Sequence, residues 1–345
     1  MPIPSTSGTA YYVDHRDPNA GKRALRLLPH LPADTTFLTA SNELHRRLAD
    51  RPVHRLTNGP FQSIAKQRDT IAVAELQLRA WVSEHRPRLV LCDAPFESTD
   101  LQAYIPNLMR VRRPGYEAED RLHRQYGNAP RVLSLGADWL ESRQTPDWLR
   151  AKTYYTGCLP DPTLRPIDRA AARAACGFAA HERYIVLLKS GPHGSFSLSR
   201  LARAARHAPD YQWVRLGPLG PGQIELPPNL RQEGMVPDPD TYLRAADLVV
   251  SDGDEYTLHR VAASGTPLVC LPDPDARHAQ HTYAHALRRR GMALTFDGFP
   301  RAFEWPSILE RATQLSRSPW RGFYAPDAPD RVRRFLRLSQ QSACA

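Results

Sequence analysis

Short apolar runs of strand length alternate with longer amphipathic stretches along almost the whole chain, and that rhythm restricts its fold most. Strands separated by helical patterns build βαβ units, which impose parallel sheet with helices packed on its faces. In the first half the strands are expected at Ala10–Val13, Thr36–Thr39, Arg88–Cys92, Arg131–Leu135 and Thr153–Thr156. The clearest helix runs from about Ser63 to Glu84, where Ile64, Ile71, Ala74, Leu78 and Trp81 recur at a period near 3.6. A second alternating run predicts strands at Tyr184–Leu188, Tyr211–Leu216, Leu248–Ser251, Leu268–Leu271 and Ala293–Phe296. The helices between them are expected near Ser197–His207, Pro239–Ala246, Thr257–Ala263 and Ala276–Arg290.

Between the two runs, residues 157–166 hold three prolines, which reads as a linker. The expected division is an N-terminal domain at 1–157, a linker at 158–168 and a second domain at 169–325. A last segment, 326–345, carries a helix at about Asp327–Leu336. The 345 residues suit two such α/β domains, each a doubly wound sheet. Ligands of open α/β sheets bind outside the carboxyl ends of the strands, so both domains are expected to face a shared cleft with those ends.

Composition narrows the partners. No apolar run approaches the ~20 residues of a membrane span, and the opening MPIPSTSGTA lacks the features of a signal peptide. A soluble, cytoplasmic protein is expected. The five cysteines, Cys92, Cys158, Cys176, Cys270 and Cys344, are scattered and never form C-x-x-C, which argues against a disulfide framework or a cysteine-rich zinc site. Lys and Arg number 46 against 36 Asp and Glu, a net charge of +10 that points to anionic partners: nucleic acid, phospholipid surface or nucleotide phosphate.

Two motifs carry chemistry. Lys189-Ser190-Gly191-Pro192-His193-Gly194-Ser195-Phe196 follows a strand and precedes a helix. Its glycines allow close backbone approach to a ligand, and a serine can cap a helix whose N-terminal N–H groups face a diphosphate. An ordinary βα turn reads equally well. The second motif runs from Asp240 to Pro272 and includes Ala246-Asp247, Ser251, Ala262, Gly265, Pro267 and Pro272. Gln280, Ala284, Leu287 and Gly291 follow at regular spacing.

In order, spacing and element type this stretch resembles the donor-binding half of GT-B glycosyltransferases, specifically the family of the N-acetylglucosaminyltransferase that completes lipid II. The resemblance covers about Tyr184 to Phe296 and is looser in the first half. It implies a GT-B fold of two Rossmann-like domains and a nucleotide-diphosphate sugar, most simply a UDP-sugar, as co-substrate with no further cofactor and no metal. It also implies a last helix that crosses back to the N-terminal domain. The donor diphosphate and sugar would meet Asp252, Gly253, Asp254, Glu255 and Thr257, with Ser190, Gly191, His193, Gly194 and Ser195 in the earlier loop. The base would lie near Met235 and Val236, and the sugar near Gln280.

The departures from that family are informative. Its ribose-binding Glu falls at Arg260, which only donates where a carboxylate only accepts. Its later Asn is Tyr283. In the first loop its catalytic His falls at Ala20, with Asp17 and Asn19 in glycine positions and Arg23 retained. A general base would then come from His15 or Asp17 on the same loop, against the alternative of a polar turn without chemistry. Arg23, Asp93 at a strand end, and Arg112 and Arg113 within the basic stretch Arg110–Tyr116 are candidates for an acceptor. The helix face of His278, His281 and His285 is compatible with zinc, but it reads better as a solvated or cleft-facing face, which in the cleft would hydrogen-bond a transferred sugar.

The expected function is an inverting, metal-independent glycosyltransferase. Its acceptor is open among a polyprenyl phosphate at a membrane surface, modified DNA such as a hydroxymethylated base, and a small molecule. A nucleotide-sugar hydrolase or epimerase, or an inactive sugar-nucleotide-binding protein, are the alternatives.

Overall fold

Strand residues here are apolar on consecutive positions because both sheet faces are covered, so neighbouring side chains enter opposite cores. The computed structural model describes the chain apart from residues 1–7, 49, 57–63, 95, 97–99, 113–118, 165–166, 190–195, 219–223, 274–278 and 343–345. Two compact units result. The first comprises Met1–Asp138, Arg143–Leu159 and Ala325–Ala345, and the second Trp139–Ser142 and Pro160–Tyr324.

The first unit is built on β1 (Thr9–Val13), β2 (Thr36–Thr39), β3 (Val53–Arg55), β4 (Leu89–Asp93), β5 (Leu108–Arg112), β6 (Val132–Ser134) and β7 (Thr153–Tyr155). They form one parallel sheet in the order β3-β2-β1-β4-β5-β6-β7. Tyr11, Val13, Phe37, Leu91 and Val111 enter one core, together with Ala20, Ala24 and Leu27 of the helix Pro18–Leu27. The same core takes Ala328, Val332, Phe335 and Leu336 of the helix Ala328–Ser342. Ala10, Tyr12, Leu38, Val90 and Cys92 enter the opposite core with Ala74, Leu78 and Trp81 of the helix Ile64–His85.

The second unit contains β8 (Arg183–Leu188), β9 (Tyr211–Leu216), β10 (Leu230–Gly234), β11 (Leu248–Ser251), β12 (Leu268–Cys270) and β13 (Ala293–Thr295). Their parallel order is β10-β9-β8-β11-β12-β13. Asp247 ties this unit's entry together: it accepts from Tyr184 N–H at 2.8 Å and pairs with Arg169 and Arg173 of the helix Arg169–Ala175. The Ala246-Asp247 pair of the motif is thus a structural clasp.

The two sheets share one winding order, and in each the direction of winding reverses between the first and fourth strands. Crevices of such sheets open at that reversal, outside the carboxyl ends. In the first unit the reversal lies between β1 and β4, in the second between β8 and β11. Strands β3, β5 and β10 are absent from the sequence expectation. Strands β3 and β10 are polar edge strands, with His54 and Arg55 exposed and Leu-Arg-Gln-Glu-Gly as the whole of β10. Strand β5 is interior, yet every second residue after Leu108 is an arginine, which disguises it.

Candidate functional site

At the first reversal, Asp14 N–H donates to the Asp93 carbonyl at 3.2 Å, which extends the β1–β4 pairing and brings both strand ends together. Asp14, 2% exposed, accepts two charge-assisted bonds from Arg16, at 2.7 and 2.9 Å. His15 projects from this turn with its Nδ1 4.0 Å from Asp14. Burial, opposed by Asp14 and aided by Arg16, holds the imidazole below its ordinary value of 6.5, so it is neutral at pH 7.

Asp17 accepts from Asn19 N–H at 2.9 Å and so caps the helix Pro18–Leu27. Its other oxygen accepts from Arg23 Nη2 at 2.5 Å. Arg23 also grips Asp93 through Nε and Nη2, at 2.7 and 2.8 Å, a bidentate geometry. Three residues expected separately as base and acceptor contacts are therefore one cluster, in which Arg23 is 3% and Asp93 5% exposed. Ala20, in the family's histidine position, is fully buried in the core. Arg110 and Arg112 are also buried, and Arg110 Nη1 lies 3.7 Å from Cys92 Sγ. Arg113 lies outside the described residues.

At the second reversal, β11 ends in Ser251, whose hydroxyl accepts from Gly253 N–H at 2.9 Å. Gly253 has φ of +71°, and a Cβ there would collide with Cys270 Sγ, so the turn requires glycine. Asp254 then caps the helix Glu255–Ser264 by accepting from Thr257 N–H at 2.8 Å. Burial, with neighbouring Asp252 and Glu255, pushes its carboxyl up to about 6, and the bonds with Thr257 act the other way. The N–H group expected to meet a diphosphate is already held by a side chain. Asp252 and Thr257 are buried, at 2% and 0% exposure.

The other residues expected to contact the donor fall into three groups. Arg260 is paired with Asp240 and lies over the Tyr256 ring at 4.1 Å. Gln280 accepts from Asp273 N–H at 2.9 Å through Oε1. Met235 is 77% exposed beside Val236 in the loop after β10. Ser190, Gly191, His193, Gly194 and Ser195 lie outside the described residues, as does His278. Of that histidine face, His281 Nε2 lies 3.2 Å from the Asp273 carbonyl and His285 is exposed. Among the described residues no three His, Cys, Asp or Glu converge to hold a metal ion.

The structure adds Lys189, Asp273, Asp240 and Tyr256 to the expected set. Lys189 directly follows β8, and its Nζ lies 3.8 Å from Asp273, the third residue after β12. Its signal was available: it is one of only four lysines and occupies a strand's carboxyl end.

No protein-family model matches the chain. A UDP-N-acetylglucosamine--N-acetylmuramyl-(pentapeptide) pyrophosphoryl-undecaprenol N-acetylglucosamine transferase from Synechococcus sp. (strain RCC307) is 30% identical over 135 residues. That match spans 37% of this chain and 38% of the relative. Among solved structures, a UDP-glucosyltransferase from Polygonum tinctorium capable of glucosylating indoxyl superposes with a TM-score of 0.69 at 12% identity, over 97% of this chain and 99% of that one. Arabidopsis thaliana UGT89C1 in complex with UDP gives 0.65 at 12%, over 99% and 100%. The likeness runs the length of both units, and the chain has the GT-B fold of these glycosyltransferases, with a local resemblance to the lipid-II-forming family.

Proposed function

We propose that the chain is a glycosyltransferase that moves a sugar from a nucleoside-diphosphate donor, most simply a UDP-sugar, to an acceptor hydroxyl. The observation that carries this reading is the turn Ser251–Asp254: a glycine-dependent loop opening onto a helix at the winding reversal of the second sheet. UDP bound in two structural neighbours, and in the name of a third, supports the donor class.

In this reading His15 takes the acceptor proton. Neutral at pH 7, it accepts at once, and its neighbour Asp14 stabilises the imidazolium that forms. Asp17, with one oxygen capping a helix and the other on Arg23, holds the loop in place. Attack opposite the diphosphate inverts the anomeric centre. Lys189 and the N-terminus of the helix Glu255–Ser264 meet the departing charge, and transfer is expected to persist in EDTA. Asp254, with its carboxyl near 6, takes up a proton as the phosphate approaches. A lipid-linked acceptor is supported by the name of the partial relative and by the net charge of +10. No helix among the described residues is long and apolar enough to cross a membrane.

The test is a panel of nucleotide sugars incubated with polyprenyl-phosphate vesicles, with small phenols, or alone, reading release of nucleoside diphosphate and the melting temperature. Release that requires an acceptor is expected. Release without one supports a hydrolase. The burial of Ala20 favours one second reading, an inactive sugar-nucleotide-binding protein, which would show a melting shift without release. No release and no shift with any donor overturns both.

A further inference from the structure

Arg260 lies in the second turn of the helix Glu255–Ser264 with 9% of its side chain exposed. Helical side chains lean toward their helix's N-terminus, which carries the guanidinium over the ring of Tyr256, four residues earlier. There it meets Asp240, from the first turn of the neighbouring helix Pro239–Ala245. Both helices follow strands of one parallel sheet, so both start at the carboxyl edge of that sheet, where its ligand crevice opens.

A buried guanidinium needs a counter-charge, and Asp240 supplies it. The geometry does more than neutralise. Arg260 is covered by an aromatic ring and anchored through Nη1 to Asp240 Oδ1, while the Asp240 side chain keeps 23% exposure. A guanidinium can only donate and a carboxylate only accept, so of the two it is Asp240 that can receive hydrogen bonds from a vicinal diol.

We propose that Asp240, oriented by Arg260, is the acceptor for the ribose hydroxyls of the donor nucleotide. Arg260 is then a positioning residue, and Tyr256 fixes its plane. This inference rests on reading the second unit as a nucleotide-sugar site.

The experiment is isothermal titration of the full chain with UDP, ADP, GDP and CDP and with the 2′-deoxy form of each. The expected result is a preference of about tenfold or more for the ribose form of whichever base binds. Asp240→Asn should bring the two forms to within about twofold while binding of the deoxy form stays the same, because the lost contact is to the hydroxyl alone. Asp240→Glu should restore part of the preference. A purely structural Asp240 would weaken ribose and deoxyribose forms equally, and that result overturns the proposal. Equal binding of the two forms by the unaltered protein overturns it as well. If Asp240→Asn does not fold, Asp240→Asn/Arg260→Gln, which removes both buried charges, takes its place with the same readout. Failure of every nucleoside diphosphate to bind the unaltered protein overturns the donor reading itself, a different outcome from binding without discrimination.

Discussion

The two units wind their sheets in the same order and present the same kind of reversal, yet they furnish it with opposite electrostatics. In the first, a buried and a partly buried arginine close on three carboxylates: Arg23 on Asp17 and Asp93, Arg16 on Asp14. In the second, Asp252, Asp254 and Glu255 crowd one turn, and the nearby cations Lys189 and Arg260 pair with carboxylates elsewhere, Asp273 and Asp240. A closed ion-pair cluster sets geometry and leaves a neutral imidazole beside it. An acidic turn with a raised carboxyl is the more responsive of the two, because an approaching anion changes its protonation. The fold supplies the address, and the side chains decide whether it is rigid or responsive.

The sharpest way to break this contrast is at His15. His15→Gln should lower turnover by about 10²–10⁴-fold with donor binding unchanged. The acid limb of the unaltered protein's rate profile should lie below pH 6.5, since burial lowers the imidazole. Equal turnover in the variant would move the base elsewhere. Next in size, Arg23→Leu leaves Asp17 and Asp93 facing one another without their shared cation and should cost about 3–5 kcal/mol in urea unfolding. A loss under about 1 kcal/mol would show that the cluster is not the rigid element described above.

Asp254→Asn tests the responsive side. A carboxyl raised to about 6 in the folded protein stabilises it below its ordinary range and loses that contribution as pH rises through 6. The unaltered protein should therefore lose about 2 kcal/mol between pH 4 and pH 7.5 from this group. Asn, which also caps helices, should remove that slope and melt higher at pH 7.5. It should tighten UDP binding at pH 7.5 as well. The smallest effect belongs to Lys189→Ala, about tenfold in affinity for UDP with little change for uridine. An equal loss for the nucleoside would place Lys189 away from the phosphates.

Much of the architecture was legible because burial on both sheet faces forces strand-length apolar runs. Strands β2, β9 and β11 begin and end where the pattern says. Strand β5 was not, since Arg110 and Arg112 imitate a solvent face while being buried, a distinction made only by neighbours far along the chain. The site was legible as a set of positions and illegible as a network. Nothing local to Asp93 or Arg23 announces that they are partners 70 residues apart. Asp240 reads from sequence as a residue in a helix's first turn, and only the packing of two helices brings it to Arg260.

The helix Ala328–Ser342 gives the molecule a history as well as a shape. Its Ala328, Val332, Phe335 and Leu336 complete the core of the first unit, although they leave the ribosome after every residue of the second. During synthesis the second unit can therefore close first, while the first waits with an apolar face of its sheet uncovered. Chaperone demand during translation should accordingly centre on the earlier-made half of the chain.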